Sequence, residues 1–263
     1  TNELYLGYKS IEVTDDEFAA LIDGTCTNKF GCIENEYLIP YDRFNNSGYV
    51  FKMKDGRFEK VEPLAFKSDL MGRIKPMDLV QLCAFDSIEK NDITVLYGKS
   101  GSGKTIIPLS YIMKGLEHQK FRKIHIVYHY EPLKGAKTLG YEKGDHIEKI
   151  LKTGSIGNIL TSKLGDISIV ESLIQEGKLD IIPTANIRGV EFGVEDVMYC
   201  TESQNIDIYT LKTIIQRCKS GCKQIYEGDI LEQTDISGIS GLFKMIDVFK
   251  GNSKFGCIKL KNR

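Results

Sequence analysis

Tyr5–Val13 alternates apolar and polar positions, the period of two expected of a half-buried strand. Thr14-Asp15-Asp16-Glu17 follows, with a hydroxyl three residues ahead of a glutamate, a capping box that opens a short helix stopping near Gly24. Strands are expected at Glu36–Pro40, Tyr49–Met53 and Phe58–Glu62, and Asp55-Gly56 suits a tight hairpin turn between the last two. From about Gly72 the pattern changes to short apolar runs alternating with helical stretches. Ile93–Tyr97, Ile124–Tyr128, Leu179–Pro183, Val197–Cys200, Cys222–Tyr226 and Cys257–Leu260 read as strands. Ile106–Leu116, Ile208–Arg217 and Leu242–Phe249 read as helices, and Gly135–Lys178 as mixed helix and loop. Buried β-branched strands separated by helices predict a mostly parallel sheet covered on both faces. The expected division is a β-rich accessory module over 1–70 and an α/β domain over 71–263.

Composition leaves that picture in place: 41% of the 263 residues are hydrophobic and 27% charged, enough to bury a substantial core. With 35 basic and 36 acidic side chains the net charge is −1, so nucleic-acid or membrane binding has no global attraction to draw on and must rest on a local patch. Seven cysteines, an odd number, stand at 26, 32, 83, 200, 218, 222 and 257 without zinc-ribbon spacing, which reads as reduced thiols of a cytoplasmic protein. No apolar stretch is long enough to span a membrane or to act as a signal peptide. Thr1 in place of a starting methionine fits either removal of that methionine or excision from something longer.

The chemistry is concentrated in Gly98-Lys99-Ser100-Gly101-Ser102-Gly103-Lys104-Thr105, which matches GxxxxGK[ST] at every fixed position, directly after a strand and directly before a helix. Glycines let successive backbone N–H groups turn inward onto phosphate oxygens, and the following helix adds its positive end. Lys104 is placed to reach the β- and γ-phosphates, and the Thr105 hydroxyl to ligate Mg²⁺. Hydrolysis also needs an acid at the end of a buried strand. Val197–Cys200 runs into Thr201-Glu202, so Glu202 is the candidate, with Thr201 at the place usually held by a metal-orienting Asp.

At these residues the chain resembles the PhoH-like ATPases, a RecA-like group related to helicase cores. Thr201-Glu202-Ser203-Gln204-Asn205 resembles the family's DEAQN, Arg188-Gly189 its preceding Arg-Gly pair, and Gln216-Arg217 its Thr-Arg. Gly228-Asp229 with Gln233 and Asp235 resembles the strand that closes on Gly-Asp, and Ile74-Lys75-Pro76 with Gln81 the family's opening helix. Leu139–Asp145 and Glu148-Lys149 resemble a further family segment. The likeness covers about Asn35 to Arg263 and follows the ATPase half of PIN–PhoH proteins, with no PIN domain visible. The departures are Thr201 for Asp, Gln216 for Thr, one extra residue between Asp229 and Gln233, and a Thr-Arg-Pro loop reduced to Pro132.

The resemblance implies an α/β, RecA-like P-loop core that binds ATP or ADP with Mg²⁺, the metal held by Thr105 and Glu202. Lys104, Glu202 and Gln233 are the implied catalytic residues, with Gln204 or Gln233 sensing the γ-phosphate. Gln81, the loop from Gly98 to Thr105, Arg217 and Asp229 are the implied nucleotide contacts. Asp229 either holds metal or water or caps a turn. Arg188 and Arg217 either meet phosphate, in this or a neighbouring subunit, or form structural ion pairs. ATP hydrolysis coupled to remodelling of single-stranded RNA, in a homo-oligomeric ring such as a hexamer, is the leading expectation. Lys250, Lys254, Lys259 and Lys261 with Phe249 and Phe255 form a candidate strip for single strands. Arg263 is a candidate trans-acting finger. Two rivals stand beside it, a nucleotide-gated binding module with little turnover, favoured by Thr201, and a small-molecule kinase. Thr201→Asp is expected to raise the rate.

Overall fold

The computed structural model describes residues 4–42, 48–129, 157, 161–162, 167–230 and 240–262. The amino-terminal part is a four-stranded sheet of β1 (Tyr8–Glu12), β2 (Tyr37–Tyr41), β3 (Phe51–Lys54) and β4 (Arg57–Lys60) in that order. β1 and β2 run parallel, the other pairs antiparallel. The capping box forms as read: the Thr14 hydroxyl accepts from the Glu17 N–H and opens α1 (Asp15–Asp23), which Gly24 closes. Asp55 and Gly56 both take positive φ, 48° and 77°, as a two-residue hairpin turn requires. β1 begins later than the alternation suggests because the chain ahead of it is used elsewhere. The Leu6 carbonyl accepts from the Lys259 N–H, and the Tyr5 carbonyl from the Tyr97 hydroxyl at 2.6 Å.

The short strands β5 (Phe66–Ser68) and β6 (Gly72–Ile74) form a hairpin that sequence patterning does not reveal. Phe66 stacks on Phe85 at 4.4 Å and meets Tyr111 edge-on. Next come α2 (Leu79–Lys90), β7 (Ile93–Tyr97), α3 (Ile106–Glu117), β8 (Lys123–Tyr128), α4 (Ile167–Gln175), β9 (Leu179–Pro183) and β10 (Asp196–Thr201). α5 (Ile208–Arg217), β11 (Lys223–Gly228), α6 (Gly241–Phe249) and β12 (Phe255–Lys259) complete the described order. The main sheet has the order β12-β7-β11-β10-β8-β9 with every pair parallel. This is the RecA-like α/β core expected, with strands crossed over so that β11 lies between β7 and β10.

Alternation decides which side chains go where. Leu96, Val197, Tyr199 and Ile225 face α2 and α3 in one core. Val95, Tyr97, Met198, Cys200 and Tyr226 face α5 and α6 in the other. Tyr37 and Ile39 of β2, with Val50 just ahead of β3, are buried in the α2–α3 core. The Tyr37 hydroxyl donates to Asp86 at 2.8 Å, and Lys52 lies 3.5 Å from the same carboxylate. A buried acid on α2 thus ties the amino-terminal sheet to that helix.

Candidate nucleotide site

The P-loop leaves the carboxyl end of β7 and enters α3, so the cradle stands at the crevice where strand order reverses, the usual ligand position in open parallel sheets. Gly98 and Ser102 are buried, Lys99, Ser100 and Gly101 are exposed, and Gly103, Lys104 and Thr105 lie between. Gly103 needs to be glycine on two counts. Its φ is 99°, and a Cβ there would lie 2.9 Å from Gln81 Nε2. The Ser102 hydroxyl is buried without a hydrogen-bond partner among the described residues, an orphan that suits a phosphate oxygen.

Gln81, on the first turn of α2, uses both ends of its amide. Nε2 donates to the Ser102 carbonyl at 3.1 Å, and Oε1 accepts from the Met77 N–H at 3.0 Å. It therefore braces the loop to the segment before α2.

Behind the loop the adjacent parallel strands β10 and β11 end together. Thr201, last in β10, shares the α3 face with Val197 and Tyr199. Glu227, near the end of β11, shares that face with Ile225. Glu227 is fully buried, and its Oε1 accepts from the Thr201 hydroxyl at 2.6 Å and from the Glu202 N–H at 3.4 Å. Its Oε2 accepts from the Thr105 hydroxyl at 3.2 Å. Burial pushes this carboxyl above its ordinary range. The Thr201 hydroxyl, the Lys104 charge and the Glu202 N–H pull it back, while the Glu202 charge pushes it up further.

Glu202 departs from the strand in the left-handed region, φ 51° and ψ 38°, a costly conformation for a non-glycine residue and one common at functional sites. Its Oε2 accepts from Gln204 Nε2 at 2.7 Å, and Gln204 Oε1 accepts from the Asp229 N–H at 3.1 Å. Gln204 is thus a rigid link between the ends of β10 and β11. A Cβ on Gly228 would lie 2.5 Å from Gln204 Oε1, so that glycine clears the link. Asp229 is buried directly after β11.

The fold therefore brings Gln81, Gly98–Thr105, Thr201, Glu202, Gln204 and Asp229 together, and adds Glu227, which motif reading passed over. The signal was present: in Gln224-Ile225-Tyr226-Glu227 the acid shares parity with a core-facing Ile. Arg217 is not brought in. It ends α5, its carbonyl accepting from the Phe192 N–H ahead of β10, at the amino end of the sheet and away from the P-loop of its own chain. Arg188 is exposed after the edge strand β9, four strand spacings or about 19 Å from β7. Gln233, Asp235, Arg263, Pro132 and the 139–149 segment lie outside the described residues. Among the described residues no group of three or more His, Cys, Asp or Glu forms a metal cage, and no helix is long and apolar enough to cross a membrane.

Comparison with known proteins gives this geometry a family. The family model described as PhoH-like protein matches residues 73–263. A PhoH2 protein of Bacillus subtilis is 23% identical over 98% of this chain and 61% of its own length. A PhoH2 protein of Mycolicibacterium smegmatis is 21% identical over 66% of this chain and 40% of its own. A PhoH-like protein of Bacillus subtilis is 26% identical over 72% of this chain and 58% of its own. The chain thus spans between about two fifths and three fifths of these relatives. Among solved structures, a Pif1 helicase from Candida albicans aligns over 72% of this chain and 40% of that one at 15% identity, with a TM-score of 0.36, too distant to argue from. With its family model covering the P-loop and both carboxylate strands, this chain, a P-loop NTPase, belongs to the PhoH-like protein family.

Proposed function

We propose that the protein binds ATP with Mg²⁺ and hydrolyses it, coupling the cycle to remodelling of single-stranded RNA in a homo-oligomer. The observation that carries this reading is the convergence, within one crevice, of the Lys104–Thr105 end of the P-loop with Glu202, which Gln204 holds at the end of β10. The backbone N–H groups of 98–104 and the Ser102 hydroxyl receive the phosphates, and Lys104 supplies a mobile positive charge at the transferring group. Thr105 would hold Mg²⁺ through Oγ1, and the buried carboxylate beside that hydroxyl fits a divalent cation. When bound, the ion neutralises charge on the β- and γ-phosphates. Glu202 orients a water for in-line attack on the γ-phosphorus. As that P–O bond forms, the bond to the β–γ bridging oxygen breaks, ADP departs, and the water's proton passes through Glu202 to solvent or phosphate. Gln204 couples that acid to the backbone at Asp229, so that γ-phosphate loss registers at the end of β11. Gln233 is proposed to sense the same phosphate.

Thr201 favours a second reading, a nucleotide-gated binding module that seldom turns over. Phosphate release from ATP, measured with and without single-stranded RNA for the parent and Lys104→Ala, separates the two. The hydrolase reading expects Lys104-dependent release that RNA accelerates. Nucleotide binding with no Lys104-dependent release would leave the gated module, and no binding would remove both.

A further inference from the structure

Sequence comparison within the crevice leaves the metal short of an acid: the usual Asp position is occupied by Thr201, which has no charge, and Glu202 is the only acid the motif supplies. The structure shows where the Glu202 side chain goes. Its carboxylate is engaged by Gln204 at 2.7 Å, following a left-handed backbone that turns it off the strand line. The acid in contact with the P-loop hydroxyl is on the other strand. Glu227 Oε2 lies 3.2 Å from Thr105 Oγ1 and Oε1 lies 2.6 Å from Thr201 Oγ1.

We propose that Glu227 on β11 is the carboxylate that orients the nucleotide's Mg²⁺ in this chain, with Thr201 on β10 as its hydroxyl partner. Acid and hydroxyl have exchanged strands. This rests on the MgATP reading above and assigns one of its parts. Three observations support it. First, parallel register places Cys200 beside Tyr226, so Thr201 and Glu227 are the next neighbours across the ladder and share the α3 face. A carboxylate on either strand therefore reaches the same place. Second, Glu227 touches Thr105, the hydroxyl that GxxxxGK[ST] dedicates to the metal, so a cation held by that hydroxyl falls within reach of Oε2 or of a water bound between them. Third, a carboxylate with no solvent exposure carries a desolvation cost of several kcal/mol. It is met by two neutral hydroxyls at 2.6 and 3.2 Å and one long N–H contact at 3.4 Å, none of which carries a charge. A divalent ion is the charge this pocket lacks. A carboxylate serving only to tie β10 to β11 would need neither the Thr105 contact nor the charge, since an amide makes the same hydrogen bonds.

The test reads metal directly. Binding of N-methylanthraniloyl ADP to the whole chain is titrated with Mg²⁺, and Mn²⁺ capture by the chain–ADP complex is followed by electron paramagnetic resonance. Glu227→Gln is expected to raise the Mg²⁺ half-saturation about 10- to 100-fold, the range typical when a partner of a metal site is removed. Its ADP affinity in EDTA should stay within about twofold of the parent, which also certifies the fold. Glu202→Gln should leave the half-saturation unchanged. Thr201→Asp/Glu227→Thr, which returns the acid to β10, should recover most of the response and covers the case in which Glu227→Gln does not fold. A parent-like Mg²⁺ response in Glu227→Gln, a loss in Glu202→Gln instead, or a folded exchange variant deaf to Mg²⁺ overturns the assignment alone. A parent chain whose ADP binding ignores Mg²⁺ sinks the MgATP reading together with it.

Discussion

Motif reasoning expects Thr201→Asp to speed the enzyme by restoring a missing charge, and the structure reverses the sign. Thr201 and Glu227 are 3% and 0% exposed, and their side-chain oxygens are 2.6 Å apart. An Asp at 201 replaces a donated O–H with a second acceptor, forfeiting a hydrogen bond to a charged group that contributes about 1.5–3 kcal/mol. It also sets two carboxylates about 4 Å apart, where two unit charges at an effective dielectric near 20 repel by about 4 kcal/mol. That repulsion is equivalent to about 3 pKa units, so the pair relieves it by keeping a proton. Lys104 opposes the repulsion and Glu202 adds to it. An acid whose folded pKa is raised holds more protons folded than unfolded. The repulsion therefore costs nothing below about pH 4 and grows as the pH climbs towards 7. The two losses together come to about 5.5–7 kcal/mol, so at about 2–4 °C per kcal/mol for a chain of this size the variant should melt roughly 11–28 °C below the parent at pH 7.5. The gap should shrink towards the hydrogen-bond loss alone at pH 4.5. Scanning calorimetry in EDTA across that range is the assay, with phosphate release expected to fall rather than rise. A melting temperature within about 2 °C of the parent at pH 7.5, or a deficit that does not change with pH, would refute the reasoning.

Three further outcomes follow from distances in the site and its support. Gly228→Ala drives a methyl into the Gln204 amide, whose Oε1 would lie 2.5 Å from it, and should cost about 1–3 kcal/mol and lower turnover more than nucleotide affinity, read by denaturant unfolding beside steady-state kinetics. Gln81→Ala removes both braces on the loop at 3.0 and 3.1 Å, and should weaken ATP and GTP alike by about 1 kcal/mol per bond; selective loss of ATP in a competition titration would show base reading instead. Lys223, held by the Ile88 and Asn91 carbonyls at 2.7 and 2.6 Å, has its pKa pushed down by burial from 10.5 to about 8, so it binds fewer protons folded than unfolded. Stability should rise between about pH 8 and 10.5 by at most about 3 kcal/mol, and Lys223→Met should flatten that slope in pH-dependent melting.

Where one physical signal dominated locally, the sequence was a reliable guide. Ile93–Tyr97, Leu179–Pro183 and Ile208–Arg217 stand at the boundaries patterning gives them, because short runs rich in apolar and β-branched residues favour strands and α5 is strongly two-faced. The capping box at Thr14 and the Asp55-Gly56 turn are also local chemistry. α2 was accessible only through resemblance, since Gln81, Asp86 and Ser87 are buried along with its apolar residues and leave no polar face to read. β5 and β6 are three-residue strands whose stability comes from Phe66 on Phe85 and Tyr111, partners far along the chain. Arg217 shows the opposite limit. A motif fixes a residue's place in sequence, but α5 ends at the amino edge of the sheet and the P-loop opens at the carboxyl edge.

Glu227 shows why the site itself was only half legible. A motif tests identity at a position along one strand, whereas the chemistry asks for a charge at a position in space. In a parallel sheet those are different conditions, because strands side by side and in register present their last inward residues about one strand spacing, roughly 4.8 Å, apart. β10 and β11 meet that condition, and they do so only because the crossover places β11 between β10 and the P-loop strand β7. A hydroxyl can then stand at Thr201 while the acid stands at Glu227, with the Thr105 contact kept. What remained readable in one dimension was the cost of that choice, an acid at a core-facing position two residues after Ile225. Burying a charge without a use for it is expensive. An acid on the face of Ile225 and in register with Leu96 was therefore, in itself, evidence for a site.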